Sequence, residues 1–405
     1  MEVSQLWTAV MTPRFNSTSL SIQRGDMGRT TAQQCDWQRR ESLLLATYAT
    51  FGRDSAGRRY AEPAHAYRSP FQRDRDRILH STAFRRLSGK MQVFTGDMGD
   101  YHRTRLTHTH EVATIARTIG RALRLNEDLI EALALVHDIG HPPYGHSGED
   151  ALRECLADHG GFSHNRFALT LVEDLEVRHT PYPGLNLSEE VLAGQVYRIT
   201  HAGETPPLEV QVVDLADSLA YNAHDVDDAL VLGLLQFQQL QGLDLVQRAL
   251  DWGQTSLRAP QHVVRHALVH SLIDVQIADL LERSLETLHD MEGLDSLSVR
   301  QLEVSLALSP ALASERVQLA QFLFDNVYRH EKLIAVRQQA ATRVRKLFQR
   351  LEASPSILPR RFVDRAQRVG VQASVGAYLA GMTDRFCDQQ FRQLIELGET
   401  AASDW

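Results

Sequence analysis

Residues 131–148 read EALALVHDIGHPPYGHSG, and the reading of this stretch decides the rest of the chain. Leu133, Ala134, Leu135 and Val136 form an apolar helical run that ends in the pair His137-Asp138. Gly140 then breaks the helix, and Pro142 and Pro143 prevent its return. His141 and His146 follow within nine residues of His137. Imidazoles and carboxylates crowded at a helix end are costly for a fold and suited to a metal site.

The flanking sequence supplies more of the same chemistry. Upstream, Val112, Ile115, Ala116, Ile119 and Leu123 fall at helical spacing, which predicts an amphipathic helix over 106–125. His108 lies one turn before Val112 on the same face. Asn126 is placed to cap the helix that carries the His-Asp pair. Ser147 with Asp150 resembles a capping box, predicting a helix that starts beyond the histidine loop with Glu149 in its first turn. Downstream, a predicted helix over 208–235 carries Asp217, Tyr221 and Asp225 at i, i+4 and i+8, one polar line on an apolar helix.

Elsewhere the pattern is helical, with long periodic stretches at 261–288, 311–350 and 372–398. Strand signals are nearly absent; QVVDL at 211–215 comes nearest. The expected fold is therefore all-α. The start reads as a loose polar extension, and beyond it no repeat and no clear domain linker divides the chain. The segment PFQRDRDRILHSTAFRRL reads as a helix whose Arg and Asp residues form a solvated face with local ion pairs.

Composition narrows the function classes. With 405 residues, 43% hydrophobic and 23% charged, the chain can bury a large core. Cys35, Cys155 and Cys387 are widely spaced and odd in number, which points away from a disulfide framework and towards a reducing cytoplasm. A net charge of −8 argues against a general nucleic-acid coat. No apolar run approaches the roughly 20 residues that span a bilayer, and no secretory signal is read at the start.

Nine of the 18 histidines lie between 102 and 179. Adjacent helical residues diverge by about 100°, so His137 and Asp138 can flank one ion only at a helix end, which Gly140-His141-Pro142 provides. Taken singly, each residue has a plainer explanation: His108 a core histidine, Asp217 a salt-bridged carboxylate, Tyr221 a core aromatic. His-Asp recurs at 224–225 and 289–290, but only at 137–138 do further histidines follow in a Gly/Pro loop. The combination carries the signal.

The order His108, His137-Asp138, Asp217 is that of the HD-domain phosphohydrolase superfamily. The strings YRSPFQRDRDRILHSTAFRRL, GKMQVF, RTRLTHTHEVATIAR, HDIGHPPYGHSGE and VVDLADSLAYNAHDVDDAL closely resemble its deoxyguanosine-triphosphate triphosphohydrolase-like branch. The likeness runs from Trp37 to Leu240 and more loosely to YRHEK near 328–332, which implies a flexible extension over 1–36, an HD-domain phosphohydrolase core over 37–240 and a helical C-terminal region over 241–405 packed on it. It implies that His108, His137, Asp138 and Asp217 ligate one divalent ion, Mg²⁺ or Mn²⁺. It implies catalytic roles for His146, oriented by Glu149, and for His141 and His164 beside the phosphates. Arg105 is implied to grip the triphosphate, while Gln92, Tyr221 and Asp225 form the sugar subsite, with Tyr221 excluding a 2′ hydroxyl.

The implied reaction converts a dNTP to a deoxynucleoside and intact triphosphate. The implied partners are a dNTP substrate, a dNTP effector, weakly held single-stranded DNA and copies of the same chain in a hexamer or tetramer. Other HD phosphohydrolases (a 5′-nucleotidase or cyclic-nucleotide phosphodiesterase) and a non-catalytic nucleotide or single-strand sensor are the alternatives. Two departures stand out: Ser218 where relatives commonly carry Asp, and Ser88 where they often carry Gln. No equivalents are found of the residues that bind activating nucleotides in the vertebrate dNTP-depleting enzyme of the same superfamily.

Overall fold

The computed structural model describes residues 36–92, 103–200 and 205–405. Residues 1–35 of the expected extension, 93–102 and 201–204 lie outside them. Every regular element among the described residues is helical, with only isolated β-bridges besides. Three short helices come first: α1 (Trp37–Leu44), α2 (Pro70–Leu79) and α3 (Thr82–Arg86). The core follows as α4 (Arg105–Ala122), α5 (Glu127–Val136), α6 (Gly145–Cys155), α7 (His164–Thr170), α8 (Glu189–Thr200) and α9 (Leu208–Val231). Next come α10 (Phe237–Leu240), α11 (Asp244–Trp252), α12 (Gln261–His289), α13 (Ser296–Gln301) and α14 (Pro310–Leu323). The chain ends with α15 (Glu331–Ala353), α16 (Arg360–Val369), α17 (Val371–Ala380) and α18 (Asp384–Phe391).

Local chemistry explains where the site helices begin and end. Asn126 caps α5, its side chain accepting from the N–H groups of Asp128 and Leu129. α4 turns His108, Val112, Ile115, Ala116 and Ile119 inward, and α9 packs against both α4 and α5. Gly120 lets α4 approach α5 closely, because a Cβ there would lie 2.2 Å from Ile130 Cδ1. Each buried Leu, Ile or Val on these faces contributes about 1.5–3 kcal/mol.

One apolar core runs from Phe71 and Ile130 through Val212 to Leu347, Phe348 and Tyr378, so the C-terminal helices pack on the same core as α4 to α9. α15 lies along α6 in particular. A second cluster joins the end of α9 to α11, α12 and α14 through Val226, Leu245, Leu272 and Leu319. None of the described helices is long and apolar enough to cross a membrane.

Several local expectations are corrected. The Arg/Asp segment is not a solvated face: Asp74 is fully buried and paired with Arg58, while Arg77 pairs with Glu62 and donates to the carbonyls of Leu185 and Asn186. Its partners come from distant loops, which spacing within one helix does not reveal. No Ser147 capping box forms, because α6 starts at Gly145, after Tyr144 in the left-handed region at φ 62°. The Tyr144 N–H is instead satisfied by Asp384 Oδ1 at 2.9 Å, an acceptor 240 residues away. The helix expected over 208–235 ends at Val231, ahead of Gly233 at φ +66°. The stretch expected to be continuous over 311–350 is interrupted by a wide π-turn at Phe324–Tyr328 before α15 begins.

Candidate active site

The helix end at 136–140 does what its sequence demands. His137 leaves α5 with its Nδ1 donating to the Ala134 carbonyl at 2.6 Å. Its Nε2 is thereby turned to the opposite side, where it is buried and has no hydrogen-bond partner. His108 from α4 and Asp217 from α9 meet it there. His108 Nε2 is 2.9 Å from Asp217 Oδ1, and His137 Nε2 is 3.7 Å from the same oxygen. Ligand atoms of His108, His137 and Asp138 all lie within 4.8 Å of one another.

Donors about 2.0–2.2 Å from a common ion fit that spacing. The donor set, two imidazoles with two carboxylates, suits a divalent cation, and the orphaned His137 Nε2 is the atom such an ion would satisfy. Burial pushes the His137 imidazole towards its neutral form, the form that ligates metals. Asp217 keeps this pocket open, its side chain being 41% exposed while those of His108, His137 and Asp138 are nearly inaccessible.

Asp138 links this cluster to a second one. Its Oδ2 accepts from Arg105 Nη1 at 2.7 Å, and its Oδ1 lies 2.7 Å from His141 Nδ1. Burial alone would raise the Asp138 carboxyl, but Arg105 and His141 outweigh it and hold the group well below the usual carboxylate range. Burial, reinforced by Arg105, keeps His141 neutral. The His141 ring stacks on that of His164, 3.8 Å between centroids.

Glu149, from α6, organises the second cluster. Its carboxylate takes the backbone N–H of His164 at 2.9 Å and the His164 Nδ1 at 2.9 Å and 3.0 Å, while His146 Nδ1 stands 3.5 Å away. Against the desolvation that would raise it, these contacts with His146 and His164 hold Glu149 firmly ionised. The carboxylate is therefore shared, and its tighter partner is His164 rather than the exposed His146. Gly140 permits the close approach of α7, since a Cβ there would fall 2.0 Å from the His164 carbonyl. Gly148 serves the loop likewise, 2.0 Å from the Pro143 carbonyl.

Tyr221 and Asp225 follow Asp217 along α9. Asp225 is buried, and burial pushes its carboxyl well above the usual range; the Tyr328 hydroxyl donates to its Oδ2. The rings of Tyr221 and Tyr328 lie 6.4 Å apart. Gln92 is buried, its Oε1 has no partner, and its carbonyl faces Arg105 Nη2 at 3.4 Å. Ser218 receives Arg316 of α14, and Ser88 is exposed, its hydroxyl donating to the Arg85 carbonyl.

Sequence reasoning missed several participants. Tyr328 and Arg337 beside Asp225, His224 at 3.4 Å from His108 Nδ1, buried Lys90, and Asp384 all contact the site or its loops. Lys90 and Tyr328 sit inside strings already singled out, GKMQVF and YRHEK, but nothing in their spacing says what they touch. Asp384 gives no local signal at all.

Comparison with known proteins agrees with this geometry. A family model described as "HD domain" matches residues 105–222, and one described as "Phosphohydrolase-associated domain" matches 306–393. A deoxyguanosinetriphosphate triphosphohydrolase-like protein of Bordetella pertussis is 42% identical over 375 residues, covering 87% of this chain and 97% of that protein. Proteins of the same description from Nitrosomonas europaea and Geobacter metallireducens are 40% and 41% identical, over 99% and 95% of their lengths. With His108, His137 and Asp138 converging on one point of an HD fold, the chain belongs to the deoxyguanosinetriphosphate triphosphohydrolase-like family of HD phosphohydrolases.

Proposed function

We propose that this protein hydrolyses deoxynucleoside triphosphates, dGTP among them, to deoxynucleoside and inorganic triphosphate with Mg²⁺ or Mn²⁺. The observation that carries the proposal is the junction at Asp138, where a metal-ligand cluster and a His141/Glu149/His164 cluster share one carboxylate and its neighbour. His108, His137, Asp138 and Asp217 would hold the ion. A divalent cation held there supplies Lewis-acid chemistry to the α-phosphate and to the attacking water.

The chain's own residues do the rest. Water oxygen bonds to the α-phosphorus, the bond from phosphorus to O5′ breaks, and O5′ takes a proton. His146, accessible and with its Nδ1 3.5 Å from Glu149, is the donor of that proton; the proton that the attacking water loses passes to solvent, from which His146 is reprotonated. His164, tied to Glu149 through Nδ1, offers Nε2 to phosphate oxygens; His141 extends the same relay. Arg105 acts twice, aligning Asp138 through Nη1 and meeting triphosphate through its partnerless Nε. Tyr221 closes against the deoxyribose, while Gln92 and Asp225 hydrogen-bond the 3′ hydroxyl. Residues 37–240 form the catalytic region in this reading, and 241–405 buttress it.

The test is product analysis with each of the four dNTPs and either ion. Inorganic triphosphate in equal amount to deoxynucleoside supports the proposal. Monophosphate or pyrophosphate as the phosphate product refutes it, as does binding without turnover of any dNTP.

A further inference from the structure

Two ionisable side chains outside the reacting groups, Lys90 and Asp384, hold the histidine loop from behind. Lys90 is fully buried, and its Nζ donates to the His141 carbonyl at 2.5 Å and to the Ala380 carbonyl at the end of α17 at 3.0 Å. Asp384, the first residue of α18, accepts from the Met91 N–H at 3.1 Å and the Tyr144 N–H at 2.9 Å, one with each carboxylate oxygen. Tyr144 adds its hydroxyl to Asp388 Oδ1 at 2.7 Å.

The contacts close a circuit. Lys90 and Met91 precede Gln92 and are joined to α4 through the Arg105 N–H, which donates to the Lys90 carbonyl at 2.9 Å. Arg105 grips Asp138, and Asp138 meets the His141 ring whose backbone carbonyl Lys90 holds. A lysine is a costly way to satisfy two carbonyls in an apolar core, and burial pushes its amine well below the ordinary lysine range. Lys90 ties the His141 carbonyl to the end of α17, and Asp384 ties Met91 and Tyr144 together across the same junction.

We infer that Lys90 and Asp384 are positioning residues that fix the histidine loop, and through it His141, against Asp138. The region matched by the phosphohydrolase-associated model, which contains Ala380 and Asp384, then sets the geometry of the histidine loop that it buttresses. The inference rests on the proposed dNTP hydrolysis, because turnover is its main readout.

The experiment is a double-mutant cycle on the full chain with K90M, H141A and K90M/H141A, reading kcat, KM for dGTP and Mn²⁺ affinity. K90M is expected to lower kcat about 10- to 100-fold, the scale of a small misplacement in a reacting constellation, with KM and Mn²⁺ affinity within about threefold of wild type. The double variant should be no slower than H141A, since Lys90 acts through His141. Multiplicative losses, or a fall in Mn²⁺ affinity equal to that in kcat, overturn the inference. If K90M does not fold, D384N carries the same cycle, because it keeps the side chain's shape and replaces one of two acceptors by a donor. A wild-type protein that turns over no dNTP defeats the proposed function instead, so the two failures are distinct.

Discussion

Replacing Arg105 by Met should destabilise the metal-free protein strongly and the metal-loaded protein much less. The Arg105 and Asp138 side chains are 2% and 5% exposed and meet at 2.7 Å. Removing one member of a buried pair typically costs about 3–5 kcal/mol, since the other charge stays buried. Asp138 retains His141 at 2.7 Å, which places the expected loss near the lower end, about 3 kcal/mol. Methionine keeps most of the buried volume, so little of that loss comes from a cavity. A divalent ion bound to Asp138 would replace the missing cation, and the deficit should shrink to about 1 kcal/mol under saturating Mn²⁺. By linkage the variant then binds Mn²⁺ about 30-fold more tightly than wild type, the equivalent of about 2 kcal/mol. Guanidinium unfolding of both proteins in EDTA and in Mn²⁺, with calorimetric titration of the ion, measures each quantity. A deficit in EDTA below about 0.5 kcal/mol, within the range of an ordinary surface substitution, refutes the buried-pair reasoning. An undiminished deficit in Mn²⁺ refutes the placement of the ion at Asp138.

Further outcomes are expected at neighbouring positions. Gly140→Ala drives a Cβ into the backbone of α7 and should part His164 from Glu149, lowering activity at least tenfold and stability by about 1–3 kcal/mol; steady-state kinetics and unfolding check both. Asp138→Ala should abolish Mn²⁺ binding, whereas His146→Ala should keep it and slow turnover about 100-fold, and equal loss of metal in both would contradict the division of roles. Tyr221→Ala should weaken discrimination against ribonucleotides, with unchanged selectivity removing it from the sugar subsite. Glu41 is pushed up to about 7 by burial, so its contribution to stability is full below the ordinary carboxylate range and is lost as pH rises through 7. Glu41→Gln should therefore be more stable than wild type at pH 8 and flatten the pH dependence between 4.5 and 7 in urea unfolding; a steeper dependence would refute this.

What the sequence determined by itself was local and periodic. Apolar spacing set the all-α fold and the inward face of α4, Asn126 ended up where a cap belongs, and Gly140 with two prolines ended α5 where it does end. The order His108, His137-Asp138, Asp217 identified the groups that converge at the helix end, because helix geometry and family resemblance point to the same residues. What tertiary structure alone decided was which charges are buried and who satisfies them. The burial of Asp74, the preference of Glu149 for His164, the absent Ser147 cap and the tethers from Lys90 and Asp384 all depend on partners far along the chain. Charged and hydrogen-bonding groups act over a few ångströms in space, and sequence spacing reports those distances only within a single helix or turn.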